Sequence, residues 1–421
     1  MFTILRQNCS NKCKPVSINL NLLKLVRTGF FSWKKIGGES MTGALSGIKV
    51  VDLSRVLAGP YCSMILGDLG AEVIKVESPH QGDETRKWGP PFQNGVSAYY
   101  LCANRNKKSV TIDLKSPDGI EQIKKLIKNA DVIINNFKTG TMEKFGLSYE
   151  QLSKINPKII YCSITGFGET GPYKHSPGYD FIIQAMSGLM SITGTKQSGP
   201  QKVGVAIVDV ITGLYAAVGI QAALLERKQS GKGQKLDLSL YDAAVSSLIN
   251  IGSNYLISGN IPERLGNEHA NIVPYQTFIT KDGEMVIAVG NDQQFEKLCE
   301  IIGMPKLADD PKFATNPNRV KHRSELIPIL QKAFLEKETT VWKEKCEENN
   351  IPCGPIQNLA EVHQDPQLNH RHMFVDFDHP TAGPIQVIGS PLKLSRTPVT
   401  YRHYPPDHGE HNEEILPLLK S

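Results

Sequence analysis

Residues 47–77 read GIKVVDLSRVLAGPYCSMILGDLGAEVIKVE, and this stretch decides the fold. Its apolar run at 47–53 predicts a buried strand, and a Gly/Pro-containing turn follows at 58–60. Residues 61–69 have the spacing of a helix, and 71–77 predict a second strand. A strand, a helix and a strand within about thirty residues form a βαβ unit, whose right-handed crossover makes the two strands parallel.

The same alternation continues along the chain. Strands are predicted at 109–114, 131–136 and 157–164, with helices at 117–129 and 149–155. This pattern predicts an α/β fold with an open, mostly parallel sheet that is covered by helices. Such sheets bind ligands beyond the carboxyl ends of their strands. In this chain those ends are followed by the segments 54–59, 77–78, 136–140 and 165–168.

The pattern changes after about residue 265. Before that point two further helices are predicted, at 179–189 and 207–228, and the second is rich in Ala and Gly. Beyond it, a strand at 285–289 with helices at 294–302 and 324–334 predicts a second, smaller domain. The tail from 351 to 421 is rich in Pro and irregular, which favours a chain that wraps over a surface.

The excess charge lies at the beginning of the chain. The net charge of +5 comes from 47 Lys and Arg against 42 Asp and Glu. Residues 1–38 hold seven basic residues and no acidic one, so the remainder has 40 basic and 42 acidic residues. Charge therefore gives no reason to expect the body of the protein to bind nucleic acid.

Residues 1–40 form a basic leader that is typical of a mitochondrial transit peptide, and 16–27 can form an amphipathic helix. An N-terminal extension without a targeting role is the alternative. No stretch approaches about 18 uninterrupted apolar residues, so neither a spanning helix nor a membrane partner is expected.

Several kinds of site are disfavoured by the motifs. The eight cysteines, of which Cys9 and Cys13 lie in the leader, include no C-x-x-C pair and no Cys/His cluster with ligand spacing. Reduced thiols and no metal site are therefore expected. No G-x-G-x-x-G follows the first strand, and neither a P-loop nor a G-x-S-x-G elbow occurs, so a dinucleotide site is poorly supported.

Two groups of charged residues remain as candidates for chemistry. Asp209, at the start of the 207–228 helix, and Asp180 are each either a favourable helix N-terminal charge or a functional acid, and they could converge on one cleft. Basic residues near predicted strand ends suit a small ligand with several phosphates, although a solvated surface has the same composition. They are Lys75, Arg105, Lys107, Lys108, Lys115, Lys138 and Lys144.

Six segments resemble, in this order, the class III CoA-transferases. They are 51–60, 69–77, 104–109, 131–137, 178–180 and 230–234. Each segment alone is a weak signal, but the order is specific, and the resemblance runs from about residue 45 to residue 416. A narrower similarity, to mitochondrial members that move CoA from succinyl-CoA to a dicarboxylic acid such as glutarate or hydroxymethylglutarate, is carried by 88–92, 160–166 and 272–276.

The resemblance implies a Rossmann-like large domain at 43–265, a smaller α/β domain at 266–345, and a return segment at 346–421 that completes the large domain. It also implies an interlocked homodimer and a CoA thioester as substrate, with no tightly bound cofactor. The nucleophile of the family falls on Asp209. Its CoA-binding positions fall on Val56, Leu57, Ala58, Ile112, Lys115, Asn136, Phe137, Lys138, Lys144, Gly178, Tyr179 and Asp180.

The implied mechanism is double displacement through an aspartyl anhydride and an aspartyl-CoA thioester. Each oxyanion needs preorganised N–H donors, which 166–168 or 267–270 could supply. Leu57 and the segment 267–271 replace the Gln and the tetraglycine of oxalate-specific members, so oxalate is not the expected acceptor. The distal carboxylate of the acceptor needs a cationic anchor, for which the candidates are Arg55, Arg105 and Arg264.

Two alternatives remain. The 2-methylacyl-CoA racemases share the fold and the Asp, but they have G-H-D where this chain has 178–180 as G-Y-D. A tyrosine hydroxyl is a poor acid–base substitute for His at neutral pH. The second alternative is a CoA-binding protein without catalytic activity. Incubation with succinyl-CoA and glutarate separates the three, because only a transferase forms glutaryl-CoA.

Overall fold

The structure is a computed structural model that describes residues 43–419. The predicted leader, with Cys9 and Cys13, lies outside the described residues. The strands are β1 (Lys49–Asp52), β2 (Glu72–Glu77), β3 (Phe92–Gln93), β4 (Val96–Ser97), β5 (Lys107–Thr111), β6 (Val132–Asn135), β7 (Ile160–Thr165), β8 (Lys235–Ser239), β9 (Tyr275–Ile279), β10 (Glu284–Ala288), β11 (Cys353–Pro355), β12 (Phe374–His379) and β13 (Gly383–Ile388).

The helices alternate with these strands, and two short 3₁₀ helices lie at Glu84–Lys87 and Leu416–Leu419. The α-helices are α1 (Ala58–Asp68), α2 (Ala98–Leu101), α3 (Pro117–Lys128), α4 (Thr141–Lys144), α5 (Tyr149–Ile155), α6 (Asp180–Met186), α7 (Leu189–Ile192), α8 (Ile207–Ser230), α9 (Leu240–Ser246), α10 (Ile249–Ser258), α11 (Asp292–Ile301), α12 (Lys306–Asp309), α13 (Asn316–Lys321), α14 (Arg323–Phe334), α15 (Thr339–Glu348), α16 (Leu359–Gln364), α17 (Pro366–His370) and α18 (Asn412–Ile415).

Six parallel strands form the central sheet in the order β5-β2-β1-β6-β7-β8. In its centre Val50 lies opposite Val73 on one side and opposite Val132 on the other. Neighbouring residues of one strand face different cores, with Val50 in the first and Val51 in the second. Strands that are buried on both faces need continuous apolar runs, and this made them recognisable in the sequence. The predicted α/β fold with a mostly parallel sheet is confirmed.

Helices cover both faces of this sheet: α1 and α8 pack on one face, α3 and α5 on the other. The approach of α8 to α1 requires Gly213, because a Cβ there would lie 2.7 Å from the carbonyl oxygen of Ala58. By length and composition alone α8 could cross a membrane, although Asp209, Thr212 and Gln221 interrupt its apolar run. Core helices meet the same measure, and α8 packs against α1 and β7.

A second, antiparallel sheet has the order β11-β10-β9. Its apolar core contains Phe278, Phe334 and Trp342, and the Trp342 indole N–H donates to the carbonyl oxygen of Phe334 at 2.8 Å. The strand and the two helices predicted after residue 265 correspond to β10, α11 and α14. The third strand, β11, comes from the segment that was predicted to be an irregular tail.

The prediction of an irregular tail is wrong for part of that segment, because β12 and β13 form an antiparallel hairpin. The alternation of a half-exposed strand is present in β12, since Val375 and Phe377 are partly buried while Asp376 and Asp378 are exposed, and the prediction overlooked it. Beyond it, the chain lies along the edge of the central sheet. The amide of Thr400 donates to Asp68 O at 3.0 Å, and the amide of Asn106 donates to His403 O at 2.9 Å.

Two of the predicted boundaries that moved have a clear physical reason. The helix α1 begins at Ala58 rather than at 61, since Pro60 fits a first helical turn, where its missing N–H needs no partner. The strand β5 begins at Lys107 rather than at 109. Lys107 is buried, and a buried lysine in a strand is not signalled by apolar patterning.

Candidate functional site

A cavity of about 150 Å³ lies beyond the carboxyl ends of β1, β6 and β7. The strand β1 continues to β2 on one side and pairs with β6 on the other, so the strand order reverses beside this cavity. Open α/β sheets bind their ligands at such a reversal. The lining comes from the segments 55–58, 136–139, 164–166 and 174–179, together with Glu84, Asp209 and Leu240.

Asp209 stands in the first turn of α8 and lines this cavity. Burial raises the pKa of its carboxyl, and the negative charge of Asp180 raises it further, to about 7. The apolar run around Asp209 in the sequence is therefore the start of a core helix that brings one carboxyl group to the wall of the cleft.

Asp180 was predicted to bind CoA and to converge with Asp209. The structure brings the two together, but it directs the Asp180 carboxylate at the backbone of α8. One oxygen accepts from the amides of Val208 at 2.7 Å and Asp209 at 3.3 Å, and the other accepts from the Gln184 amide at 2.6 Å. Asp180 is not part of the cavity lining.

The loop after β1 carries three of the predicted CoA contacts, and Val56, Leu57 and Ala58 all line the cavity. Val56 has a φ of +69°, a left-handed conformation that costs a β-branched residue on the order of 1–3 kcal/mol. Its amide donates to Asp83 Oδ1 at 3.3 Å. Asn136 holds the preceding residue, because its side chain accepts from the Arg55 amide at 2.9 Å and donates to the Arg55 carbonyl at 2.6 Å.

Three members of the predicted basic cluster serve the fold instead of a ligand. Lys75 pairs with Asp83 at 2.8 Å, Lys107 with Asp52 at 3.3 Å, and Arg105 with Asp68 at 2.6 Å. All six side chains are almost fully buried. Neither alternative offered for the basic cluster, a polyanionic ligand or a solvated surface, holds for these three cations, because each pairs with a buried carboxylate.

This buried network shifts the pKa values of its members. Burial opposes ionisation of Asp83, but the charge of Lys75 together with the hydrogen bonds from Lys75 and Thr85 outweighs it and lowers the Asp83 pKa to about 2. Burial lowers the pKa of Lys107 to about 8, against the charge of Asp52. Asp83 also accepts a hydrogen bond from the Val56 amide, so the network holds the backbone of the strained loop in place.

A second cavity, of about 300 Å³, adjoins the first and shares Arg55 and Phe137 with it. The predicted CoA contacts Ile112 and Lys115 line this second cavity. The two cavities together give an elongated cleft of the kind that a long ligand requires. The remaining predicted contacts Asn136, Phe137, Lys138, Gly178 and Tyr179 line the first cavity, whereas Lys144 is exposed outside the lining of both.

Several residues that line the first cavity were not among the predicted site residues, and four of them are polar or charged side chains of particular interest. Thr139 directly follows the predicted contacts at 136–138, so the loop after β6 contained the signal. Glu84, Lys174 and His175 come from loops without a motif, and only the folded chain places them in the lining. Within the described residues, Arg55 Nε and Thr139 Oγ1 are buried polar atoms without a protein partner. A ligand with acceptor oxygens fits these atoms, because an unpaired buried polar group costs about 1–3 kcal/mol.

The three candidate arginines differ in availability. Arg105 is engaged by Asp68 and by the Ile388 carbonyl, and Arg264 donates to the carbonyl oxygens of Thr195 and Ser191. Arg55 lines the cavity that contains Asp209, and its Nη1 lies 2.7 Å from Glu84. The structure thus brings one of the three to the cleft.

The fold also distinguishes between the two segments that were predicted as candidate oxyanion donors, 166–168 and 267–270. Gly166 lines the cavity and packs so closely on Gly178 that a Cβ on Gly166 would lie 2.7 Å from the Gly178 Cα. The Gly168 amide is taken by Thr165 Oγ1 at 2.8 Å. The segment 267–270 does not contribute to the lining. Within residues 43–419, no group of three or more His, Cys, Asp or Glu side chains could hold a metal ion.

Known proteins resemble the chain over nearly its whole length. Residues 45–412 match the family model described as CoA-transferase family III. Succinate–glutarate CoA-transferase from Agrobacterium fabrum is 46% identical over 388 residues, covering 90% of this chain and 96% of that protein. Succinyl-CoA:glutarate CoA-transferase from Homo sapiens is 46% identical over 402 residues, covering 93% and 92%. The crystal structure of a CAIB/BAIF family protein from Brucella suis has a TM-score of 0.79 at 44% identity, covering 90% of this chain and 100% of that chain.

Proposed function

We propose that this chain, which belongs to CoA-transferase family III, moves CoA from succinyl-CoA to a dicarboxylic acid such as glutarate or hydroxymethylglutarate. One observation carries the proposal. The Asp209 carboxyl group lines the cleft at the carboxyl ends of the strands, beside the loop of Val56, Leu57 and Ala58. The names of the two relatives support the choice of donor and acceptor.

The reaction proceeds in four displacements. The Asp209 carboxylate attacks the thioester carbonyl of succinyl-CoA, the C–S bond breaks, and CoA thiolate leaves an aspartyl–succinyl anhydride. The thiolate attacks the Asp209 carbonyl carbon, which releases succinate and forms an aspartyl-CoA thioester. The carboxylate of the acceptor attacks that thioester and gives a second anhydride with CoA thiolate. Attack of this thiolate on the acceptor carbonyl forms the new acyl-CoA and frees Asp209.

The environment of Asp209 suits this role. Burial and the nearby Asp180 carboxylate raise its pKa to about 7, so the ionised form is more basic than an ordinary aspartate and a stronger nucleophile. A large fraction of Asp209 is still ionised near pH 7. The match of pKa to working pH is the condition under which a catalytic carboxylate is both basic and available.

The two adjoining cavities would hold the CoA part of the substrate. Lys138 lines the first cavity and Lys115 the second, so each can face a phosphate group of the ligand. Binding energy gained along the cleft, far from the thioester, can be used to orient the reacting carbonyl against Asp209. Arg55 is the cation that we assign to the distal carboxylate of the acceptor, because it lines the same cavity as Asp209.

The proposal includes an interlocked homodimer in mitochondria. Three apolar side chains on and after α10 support an interface, because Leu256, Ile257 and Ile261 are 81%, 87% and 84% exposed. Residues 1–40 would act as the targeting leader. Sedimentation at working concentration measures the oligomeric state, and fusion of residues 1–40 to a fluorescent protein tests the targeting.

The activity is tested by incubating the purified protein with succinyl-CoA and glutarate and separating the acyl-CoA products by mass spectrometry. Glutaryl-CoA is expected from the wild type, and hydroxymethylglutarate and oxalate serve as competing acceptors. Asp209→Ala should abolish transfer and leave CoA binding intact. The control is Asp242→Ala, which removes an exposed carboxylate from the first turn of α9. Absence of any new acyl-CoA with the wild type, or near-normal transfer by Asp209→Ala, contradicts the proposal.

A further inference from the structure

The helix that carries Asp209 begins without a capping side chain of its own. Ala206 precedes α8 and offers no side-chain acceptor, so the first amides of the helix need a partner from elsewhere. That partner is Asp180, the first residue of α6. Its Oδ1 accepts from the amides of Val208 and Asp209 at 2.7 and 3.3 Å, the positions that an N-cap side chain normally serves.

A second side chain of α6 completes the arrangement. Gln184 is fully buried, and its amide nitrogen donates to Asp180 Oδ2 at 2.6 Å. Its amide oxygen accepts from the backbone N–H of Val203 at 2.9 Å. Asp180 and Gln184, which we call the α6 clamp, therefore hold both the chain that leads into α8 and the first turn of the helix.

We infer that Asp180 is a positioning residue for the CoA-transfer reaction, which fixes the backbone of Asp209 so that the Asp209 carboxyl group faces the cleft. The inference rests on the proposed function, in which Asp209 is the nucleophile. It replaces the role that the sequence resemblance implied for Asp180, a contact to CoA. Both carboxylate oxygens of Asp180 are engaged by α8 and α6, and Asp180 does not line either cavity.

The charge of Asp180 acts in addition to its hydrogen bonds. Ionisable groups surround Asp209 on several elements. Asp180 comes from α6 and Tyr99 from α2, and the lining of the same cavity also contains Arg55, Glu84, Lys138, Lys174, His175 and Tyr179. Burial and the charge of Asp209 raise the pKa of Tyr99 to about 12, so this phenol stays neutral. The carboxylate of Asp180 is the neighbour whose charge raises the pKa of the nucleophile.

Three variants separate the hydrogen bonds from the charge. Asp180→Ala removes both. Asp180→Asn keeps an acceptor oxygen for the amides of α8. Its new NH2 group, however, faces the NH2 group of Gln184, so the hydrogen bond between residues 180 and 184 is lost. In the double variant D180N/Q184E, the new amide donates to the new carboxylate, whose other oxygen accepts from Val203. The control is Asp365→Asn, because Asp365 caps α17 in the same way, accepting from the amides of Gln367 and Leu368.

Activity is measured as kcat and KM for succinyl-CoA with glutarate, together with CoA binding and thermal unfolding. Asp180→Ala should lower kcat about 100-fold, the effect of misplacing a reacting group by about 1 Å. CoA affinity should change little, because Asp180 does not face the cleft. The double variant should recover at least about tenfold of the kcat lost in Asp180→Asn, since the two side chains are energetically coupled. The acid limb of the pH profile should lie at lower pH in Asp180→Asn than in the wild type.

The result that overturns the inference is a folded Asp180→Ala or Asp180→Asn enzyme with kcat close to that of the wild type. A double variant that is no faster than Asp180→Asn overturns it as well, and this comparison decides the matter if Asp180→Ala does not fold. Failure of the proposed function looks different. In that case the wild type itself forms no glutaryl-CoA, or Asp209→Ala remains active, whatever the Asp180 variants do.

Discussion

Replacement of Asp209 by Asn should stabilise the protein while it abolishes transfer. Burial and the charge of Asp180 raise the Asp209 pKa from 3.8 to about 7, and both causes disfavour the ionised form that the folded protein must hold at neutral pH. At about 1.4 kcal/mol per pKa unit, the ionised carboxylate costs about 4 kcal/mol of folding free energy above pH 7. An asparagine at this position carries no charge and avoids that cost.

The pH dependence gives this prediction its sign. Between about pH 4 and pH 7 the folded protein keeps a proton at Asp209 that the unfolded chain has released, so the free energy of unfolding falls as pH rises through this window. The advantage of Asp209→Asn should therefore be about 4 kcal/mol at pH 8, about 2 kcal/mol at pH 5, and absent below pH 4.

Guanidinium chloride unfolding, followed by circular dichroism at equal protein concentration, measures the difference at pH 5 and pH 8. Asp242→Asn is the matched control, because Asp242 is exposed in the first turn of another helix, and it should change stability little at either pH. The reasoning is refuted if Asp209→Asn is no more stable than the wild type at pH 8, or if its advantage does not grow with pH.

Three further predictions concern the same region. The kcat/KM for succinyl-CoA should rise with pH along an acid limb near pH 7, because Asp209 must be ionised to attack the thioester. A profile that is flat between pH 5.5 and 8 would contradict the assignment of Asp209 as the nucleophile. Lys75→Met should lower the free energy of unfolding by about 3–5 kcal/mol, because it leaves the Asp83 carboxylate buried and unpaired. Lys124→Met, which removes an exposed ion pair, should lower it by no more than about 1 kcal/mol. Equal losses for the two variants in chemical denaturation would contradict this prediction. Gly213→Ala should lower the free energy of unfolding by about 1–3 kcal/mol, since the added Cβ would lie 2.7 Å from a carbonyl oxygen of α1. An unchanged denaturation midpoint would contradict this, because it would mean that α1 and α8 can move apart without loss of stability.

Much of the fold could be predicted because the signals that specify it are local. The helix at 149–155 was predicted at its observed bounds, and Ser116 caps α3 ahead of Pro117 as such residues commonly do. The central strands could be found because their burial on both faces demands apolar runs. The hairpin of β12 and β13 was missed although its strands alternate buried or partly buried residues with exposed ones, because the Pro content of the tail was given more weight than this alternation.

The candidate site was predictable in outline but not in the assignment of its charged groups. Asp209 and the loop at 56–58 both line the first cavity. Their roles as nucleophile and CoA contacts were implied by the family resemblance and stay predictions. For Lys75 and Lys107 the sequence left a ligand-binding and a solvated role open, and only the tertiary structure reveals the buried carboxylates that pair with them. The orientation of Asp180 depends in the same way on α8, a neighbour about thirty residues away in sequence.

The most direct test of the central claim is to trap the acylated enzyme. The wild type is mixed with succinyl-CoA in the absence of acceptor and quenched with hydroxylamine, which converts an aspartyl anhydride or an aspartyl-CoA thioester into a hydroxamate. Peptide mass spectrometry then locates the modified residue. The account predicts a hydroxamate at Asp209 that is absent without succinyl-CoA. Modification of a different side chain, or an enzyme that transfers CoA and yields no hydroxamate at Asp209, would contradict it.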